Sequence, residues 1–376
     1  MPEPSAESSN TWFFDMSPTE LRQTVLKWGW PAYRADQVLK WVYDKGVTDV
    51  RRMTDLPRAA QEILAGKIDI SSGQILANQR SSDGTVKMLL SWQDGTTAET
   101  VMIPEGSRRT VCVSTQCGCP VGCRFCASGL NGLTANLSAG QIVAQVFAVN
   151  LALMPEGRRV SHVVFMGMGE PLANYANTMK AVRNLHDAAV FGISARRITI
   201  STVGIPARMR ELAGEALPVN LALSLHAPTD ELRRELIPWA QYFPISELID
   251  ALRFYFERTG REVTLEYILL GGVNDRPQHA RLLAVLCRQV RCNVNLILYN
   301  EVAGLPFARP SKSDAAKFQK VLREEGVNVH VRRSRGADID AACGQLRRRS
   351  AQTGTVAGAA QRAEGEAASD RNRATS

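Results

Sequence analysis

No stretch of this chain approaches the roughly 18 consecutive apolar residues that a membrane-crossing helix needs, which excludes an integral helical membrane protein. The start, MPEPSAESSNTW, lacks the basic and apolar segments of a secretory signal. A cytoplasmic location is therefore expected, where thiols stay reduced and clustered cysteines read as metal or catalytic sites rather than disulfides. Acidic residues are the minority, 37 against 45 Lys and Arg, giving a net charge of +8. Residues 351–376 contain one valine and no aromatic. Such a segment buries too little surface to order itself, so a disordered tail is expected there.

What is present is arginine, and it comes in groups: Arg108-Arg109, Arg158-Arg159, Arg196-Arg197, Arg332-Arg333 and Arg347-Arg348-Arg349. Guanidinium groups match phosphate geometry, so nucleic acid is a candidate partner, with a solvated basic surface as the plainer explanation. Residues 1–72 read as a small helical domain, with Ser17 and Glu20 spaced as a capping box before an apolar run. Residues 73–108 alternate with period two around the turns Asp83-Gly84 and Asp94-Gly95, a β-meander. Residues 109–350 repeat strand then helix six times before a last helix and strand. That pattern predicts an α/β fold with a parallel sheet, either a barrel or an open doubly wound sheet.

Five of the eight cysteines fall between positions 112 and 126, in CVSTQCGCPVGCRFC. Cys119, Cys123 and Cys126 stand as C-x3-C-x2-C in the loop after the first strand of the α/β region. A structural zinc would need a fourth ligand, for which Cys117 is available, although such sites usually draw on two separated pairs. Cys123 and Cys126 alone form a C-x-x-C, a weak sign of a redox pair. An iron–sulfur cluster held by three thiolates would keep one iron open to a small-molecule ligand. The residues alone leave these three alternatives standing. Cys287 sits in a predicted helix and reads as core; Cys292 has no evident role.

The C-x3-C-x2-C with an aromatic before its last cysteine resembles the radical S-adenosylmethionine (SAM) enzymes. Together with FMGMGEPLANY, ITISTVGI, ALSLHAP, GGVND and DIDAACGQL, in that order, the sequence is similar to the RlmN family of adenine-C2 methyltransferases of 23S rRNA and tRNA, over residues 12 to 348. The resemblance implies a partial (β/α)6 TIM-like radical SAM barrel with a small N-terminal helical domain and a β extension. It implies a [4Fe-4S] cluster on Cys119, Cys123 and Cys126, and SAM held by Gly169, Glu170, Ser201, Ser224, Leu225, His226 and Asn300. It makes Cys343 the methyl carrier, Cys112 the resolving thiol that forms a disulfide with it, and Glu99 the proton acceptor. The implied partners are 23S rRNA, tRNA as a further substrate, and an external electron donor, with the protein acting as a monomer.

Independently of the family, the proposed SAM contacts fall at the ends of successive predicted strands, where parallel α/β folds collect function. Singly, each has a plainer explanation: a strand-to-helix turn at Gly169-Glu170, buried hydroxyls at Ser201 and Ser224, a core histidine at His226. Cys112 would suit a buried strand and Glu99 a surface. Three positions depart from the family pattern: Cys117 replaces an aliphatic residue, Ala240 replaces asparagine, and no proline follows Asn300. A related branch that methylates adenine C8 carries a similar QCGC, which makes C8 the alternative site of attack.

Overall fold

The computed structural model describes residues 11–346; the expected disordered tail lies outside the described residues. Ten strands, numbered here in chain order, form one sheet. The first three are β1 (Gln74–Arg80), β2 (Val86–Ser91) and β3 (Thr97–Glu105). They are antiparallel, and the two Asp-Gly turns join them as period-two alternation requires. β4 (Arg108–Cys112) pairs antiparallel with β3 and parallel with β5 (His162–Phe165). β6 (Ile198–Thr202), β7 (Asn220–Ser224), β8 (Val263–Leu269), β9 (Cys292–Leu298) and β10 (Val329–Arg332) continue the parallel part.

Strand order across the sheet follows chain order without reversal. A doubly wound sheet would reverse at a switch point; this one has none, so its βα units wind in one sense as a partial barrel that stays open at β10 and β1. The crossovers are α4 (Ala139–Leu153), α5 (Tyr175–His186), α6 (Pro206–Ala213), the pair α7 (Asp230–Leu236) and α8 (Ile245–Thr259), α9 (Pro277–Cys287) and α10 (Lys312–Glu324). α4 is buried nearly all round and starts at a capping box made by Ser138 and Gln141.

Ahead of the sheet lie α1 (Pro18–Lys27), α2 (Tyr33–Leu39) and α3 (Arg58–Lys67). Ser17 and Glu20 form the expected capping box at α1. This segment packs onto α4: the Phe14 and Phe147 rings lie 5.0 Å apart, and the Gly140 amide donates to Asp15 at 2.6 Å. A second apolar cluster sits at the carboxyl ends of the strands, built from Val121, Phe125, Leu236, Ile237, Leu270 and Tyr299. Cys119, Cys123, Cys126 and Cys343 pack against it. It forms the floor of the site.

Candidate active site

Two cavities open at this strand end. The smaller, about 150 Å³, is lined by Cys119, Cys123 and Cys126, by Gly169, Glu170, Ser201, Ser224 and His226, and by Glu266. The larger, about 660 Å³, is lined by Cys112, Asn300 and the Arg332–Arg335 segment. That volume lies within the range of ordinary ligand sites. Cys126, Arg332 and Cys343 line both. Cys343 therefore sits in the wall between the two.

The three loop thiols are held together by the fold. Burial raises Cys119 to about 12, and the charges of Cys126 and Glu170 add to it. Cys123 is pushed well above its ordinary value by burial and by both other thiols, and Cys126 is raised mainly by burial. Thiols that oppose one another's ionisation in this way need cationic partners to exist as thiolates. Among the described residues no three Cys, His, Asp or Glu side chains converge as one metal ion requires. Cys117, the alternative zinc ligand, is buried in a short strand pair opposite Ala135 and lines neither cavity. The donor set suits a multi-iron cluster, whose thiolates sit on separate irons, better than a single ion.

The strand tips are tied together by Glu170, whose carboxylate accepts the amides of Leu172 at 2.9 Å and Val203 at 2.7 Å. Burial raises it to about 7. Its own amide donates to Gln116 Oε1 at 2.8 Å, and Gly169 before it adopts φ +104° against Gln116. Ser201 and Ser224 share a hydroxyl contact of 3.3 Å. His226 accepts the Ile268 amide on Nδ1 at 3.0 Å and lies edge-on to Phe125; burial lowers it to about 3, so the ring is neutral. Leu225 is fully buried and lines neither cavity. Asn300 faces the larger cavity and accepts from Arg309 at 3.2 Å.

Cys112 ends β4, opposite Val101 and Val164. Burial, then the charge of Cys343, raises it to about 12, with Arg332 opposing. Glu99 lies on β3, two residues from Val101 and so on the same face of the sheet as Cys112. It is 4% exposed, not a surface carboxylate, and Lys87 Nζ lies 3.3 Å from its Oε1.

Four residues of the site carry no motif that marks them in the sequence. Arg332 Nη1 lies 3.6 Å from Glu266 Oε2 and 3.5 Å from Met166 Sδ. The charge of Cys343 works against burial to raise it above its ordinary value, and Glu266 and Cys112 add to the effect. Arg233, fully buried, donates to the carbonyls of Val203 at 2.5 Å and Leu225 at 3.2 Å. The remaining two are Glu266 and Lys87. The available signal was charge inside apolar strands, VTLEYILL and TVKMLLS, where a charged side chain is rarely fully buried unless paired.

Two family descriptions match the chain: the ribosomal RNA large subunit methyltransferase N-terminal domain over residues 12–70, and the radical SAM superfamily over residues 113–283. Probable dual-specificity RNA methyltransferases RlmN from Gloeobacter violaceus and Geobacillus thermodenitrificans are 47% and 44% identical, each over 334 residues. The alignments cover 89% of this chain and 94% and 92% of those proteins. The chain belongs to the RlmN family. A crystal structure of a radical SAM methyltransferase from Sphaerobacter thermophilus superposes with a TM-score of 0.87 at 45% identity, covering 90% of this chain and 99% of that one. As a radical SAM protein the chain uses a [4Fe-4S] cluster and SAM. Its residues fit both. Three mutually opposed thiols face the smaller cavity, and there too the buried Glu266 Oε2 accepts no hydrogen bond and is met by Arg332 at an ion-pair distance of 3.6 Å. The described residues include no helix long and apolar enough to cross a membrane.

Proposed function

We propose that this chain methylates C2 of adenine in 23S rRNA and in tRNA, with Cys343 carrying the carbon. The observation that carries this reading is the position of Cys343 in the wall shared by a thiol-lined cavity and a larger arginine-rimmed one. Adenine C2 lies between two ring nitrogens and is too electron-poor to attack a methyl cation donor, so a carbon radical must be brought to it. Cys119, Cys123 and Cys126 would hold the cluster, and Gly169, Glu170, Ser201, Ser224, Leu225, His226 and Asn300 the SAM. The cluster, when bound, supplies the electron that splits SAM into methionine and a deoxyadenosyl radical.

The residues of the chain then divide the work. Cys343 first takes a methyl group from one SAM by displacement. After a hydrogen atom is removed from that methyl, the methylene radical adds to C2 and joins Cys343 to the RNA. Restoring the aromatic ring requires loss of the C2 proton, which Glu99 accepts, and of one electron, for which the cluster, when bound, would be the acceptor. The Cys112 thiolate then attacks the Cys343 sulfur. An S–S bond forms, the S–CH2 bond breaks, and its electron pair takes a proton to complete the methyl group. An external electron donor reopens the disulfide and feeds the cluster.

The helical segment 1–72 and the arginines at the rim of the larger cavity would grip the RNA backbone while the target adenine enters unstacked. Binding should weaken with salt by about 0.7 log units per contacted phosphate per log unit of salt. We further infer a monomer acting in the cytoplasm. The test is mass spectrometry of adenosines from rRNA and tRNA after anaerobic turnover. A 2-methyladenosine product is expected; an 8-methyl product, or none, overturns the reading. Cys119→Ala, Cys123→Ala and Cys126→Ala should each lose the iron and its visible absorbance, and retention of full iron by all three would refute the ligand assignment.

A further inference from the structure

The segment that carries Cys343 is anchored on both sides. Downstream, the Gly344 carbonyl accepts the Ala127 amide at 2.8 Å and the Leu346 carbonyl accepts the Ser128 hydroxyl at 2.6 Å, which ties it to the loop of Cys126. Upstream, it is latched to the turn between β1 and β2. Asp338 accepts the Ser81 hydroxyl at 2.6 Å and the Ser82 amide at 3.1 Å, and Asp83 accepts the Gly336 amide at 3.1 Å. Between these anchors Asp340 adopts a left-handed backbone, φ 52°, a conformation aspartate reaches more readily than most residues.

Lys87 meets the segment at this residue. It projects from β2 on the face that also carries Glu99 and Cys112, since it lies opposite Val101, which lies opposite Cys112. Its ammonium, 5% exposed, is 3.3 Å from Glu99 Oε1 and donates at 3.2 Å to the Asp340 carbonyl, three residues before Cys343. The ammonium has three N–H donors to satisfy, and besides the carboxylate it reaches a carbonyl of a loop 253 residues away.

We propose that Lys87 is a positioning residue that yokes Glu99 to the Cys343 loop, so that proton acceptor and carbon carrier are set against the same nucleobase by one ammonium. The inference rests on the roles given above to Glu99 and Cys343. With the yoke cut, the carrier can still be methylated, because its anchor to the Cys126 loop is untouched. The base, however, is no longer held over C2, and the covalent Cys343–RNA adduct should persist.

The experiment compares K87Q, K87R and E99Q in the full chain by three readouts: methylation of Cys343 by intact mass, decay of the covalent RNA adduct on denaturing gels, and amide exchange over residues 336–346 in the purified protein. K87Q should load the methyl group at a rate close to that of the parent, clear the adduct about 100-fold more slowly, as loss of a general base does, and exchange faster across the loop. K87R, which keeps both contacts, should clear it within about tenfold of the parent rate. If K87Q clears the adduct normally while E99Q stalls, the yoke is refuted and the base assignment stands. If K87Q keeps its fold by circular dichroism but loses methyl loading and adduct together, or leaves loop exchange unchanged, the yoke is also refuted. If E99Q itself clears the adduct normally, the parent assignment of the base falls, and this inference with it.

Discussion

Gly169 offers the sharpest separation between a plain turn and a built site. Its φ is +104°, and a Cβ placed there would lie 2.6 Å from Gln116 Cβ and 2.8 Å from the Gln116 backbone nitrogen. Gly29 is the matched control: φ +79°, with nothing within 4 Å of a methyl group added to it. Gly29→Ala should cost only the backbone term, about 1–2 kcal/mol. Gly169→Ala carries the same term plus overpacking against backbone that cannot step aside, about 1–3 kcal/mol more, for a total near 2–5 kcal/mol. The Gln116 side chain that would be displaced is the one accepting the Glu170 amide at 2.8 Å, so the strand tips would shift with it. Urea unfolding of both variants gives the difference, and SAM affinity of the reconstituted enzymes reports the shift. If Gly169→Ala costs no more than Gly29→Ala and binds SAM as tightly as the parent, the turn is not a close-packed element of the site.

Two further outcomes follow from charged groups. Partial burial pushes Asp83 up, but hydrogen bonds from Thr85, Gly336 and Ser81 outweigh it and hold it at about 2. Its folded value is depressed, so the stability it lends to the Cys343 loop is present above its ordinary value of 3.8 and is lost as pH falls toward 2. The stability difference between the parent and Asp83→Asn, by urea unfolding, should shrink across that window; a constant difference would refute the link. Cys112, raised to about 12 by burial and by Cys343, should be alkylated at a rate that climbs about tenfold per pH unit between pH 7 and 10. A rate that levels off below pH 9 would show an ionised thiol limited only by access.

The antiparallel strands β1–β3 were legible because alternation and Asp-Gly turns are local signals, and the Ser17–Glu20 capping box likewise spans three residues. The choice between a barrel and a doubly wound sheet was not legible from periodicity, because strand order is a tertiary fact; the family resemblance supplied it. α6 is a weak signal in the sequence, because PARMRELA is barely two turns and starts on proline shortly after a strand. The π-helical turn at Lys40–Asp44 has no sequence signature. Glu99 illustrates the deeper limit. A carboxylate on an alternating strand reads as solvent-facing, and only the partner on the neighbouring strand shows that the face is interior. Lys87, Arg233 and Arg332 are hidden for the same reason: their partners lie on other strands or on loops far away in the chain.

The two anchors around Cys343 also bound how far the carbon can travel. Lys87 holds the Asp340 carbonyl and Ala127 holds the Gly344 carbonyl, leaving Ala341, Ala342 and Cys343 between them. Three residues span at most roughly 10 Å when extended. In the role proposed for it, a carrier so tethered can turn its sulfur from one cavity to the other but cannot make a long excursion, so the methyl source and the target base are expected close to the dividing wall. The same tether keeps Cys343 at the larger cavity that Cys112 also lines. Raised to about 12 by burial, the Cys112 thiol is protonated at rest, so the proposed attack on the adduct sulfur requires its surroundings to change first. Arg332, which lines both cavities, is the charged group that already opposes the rise of Cys112.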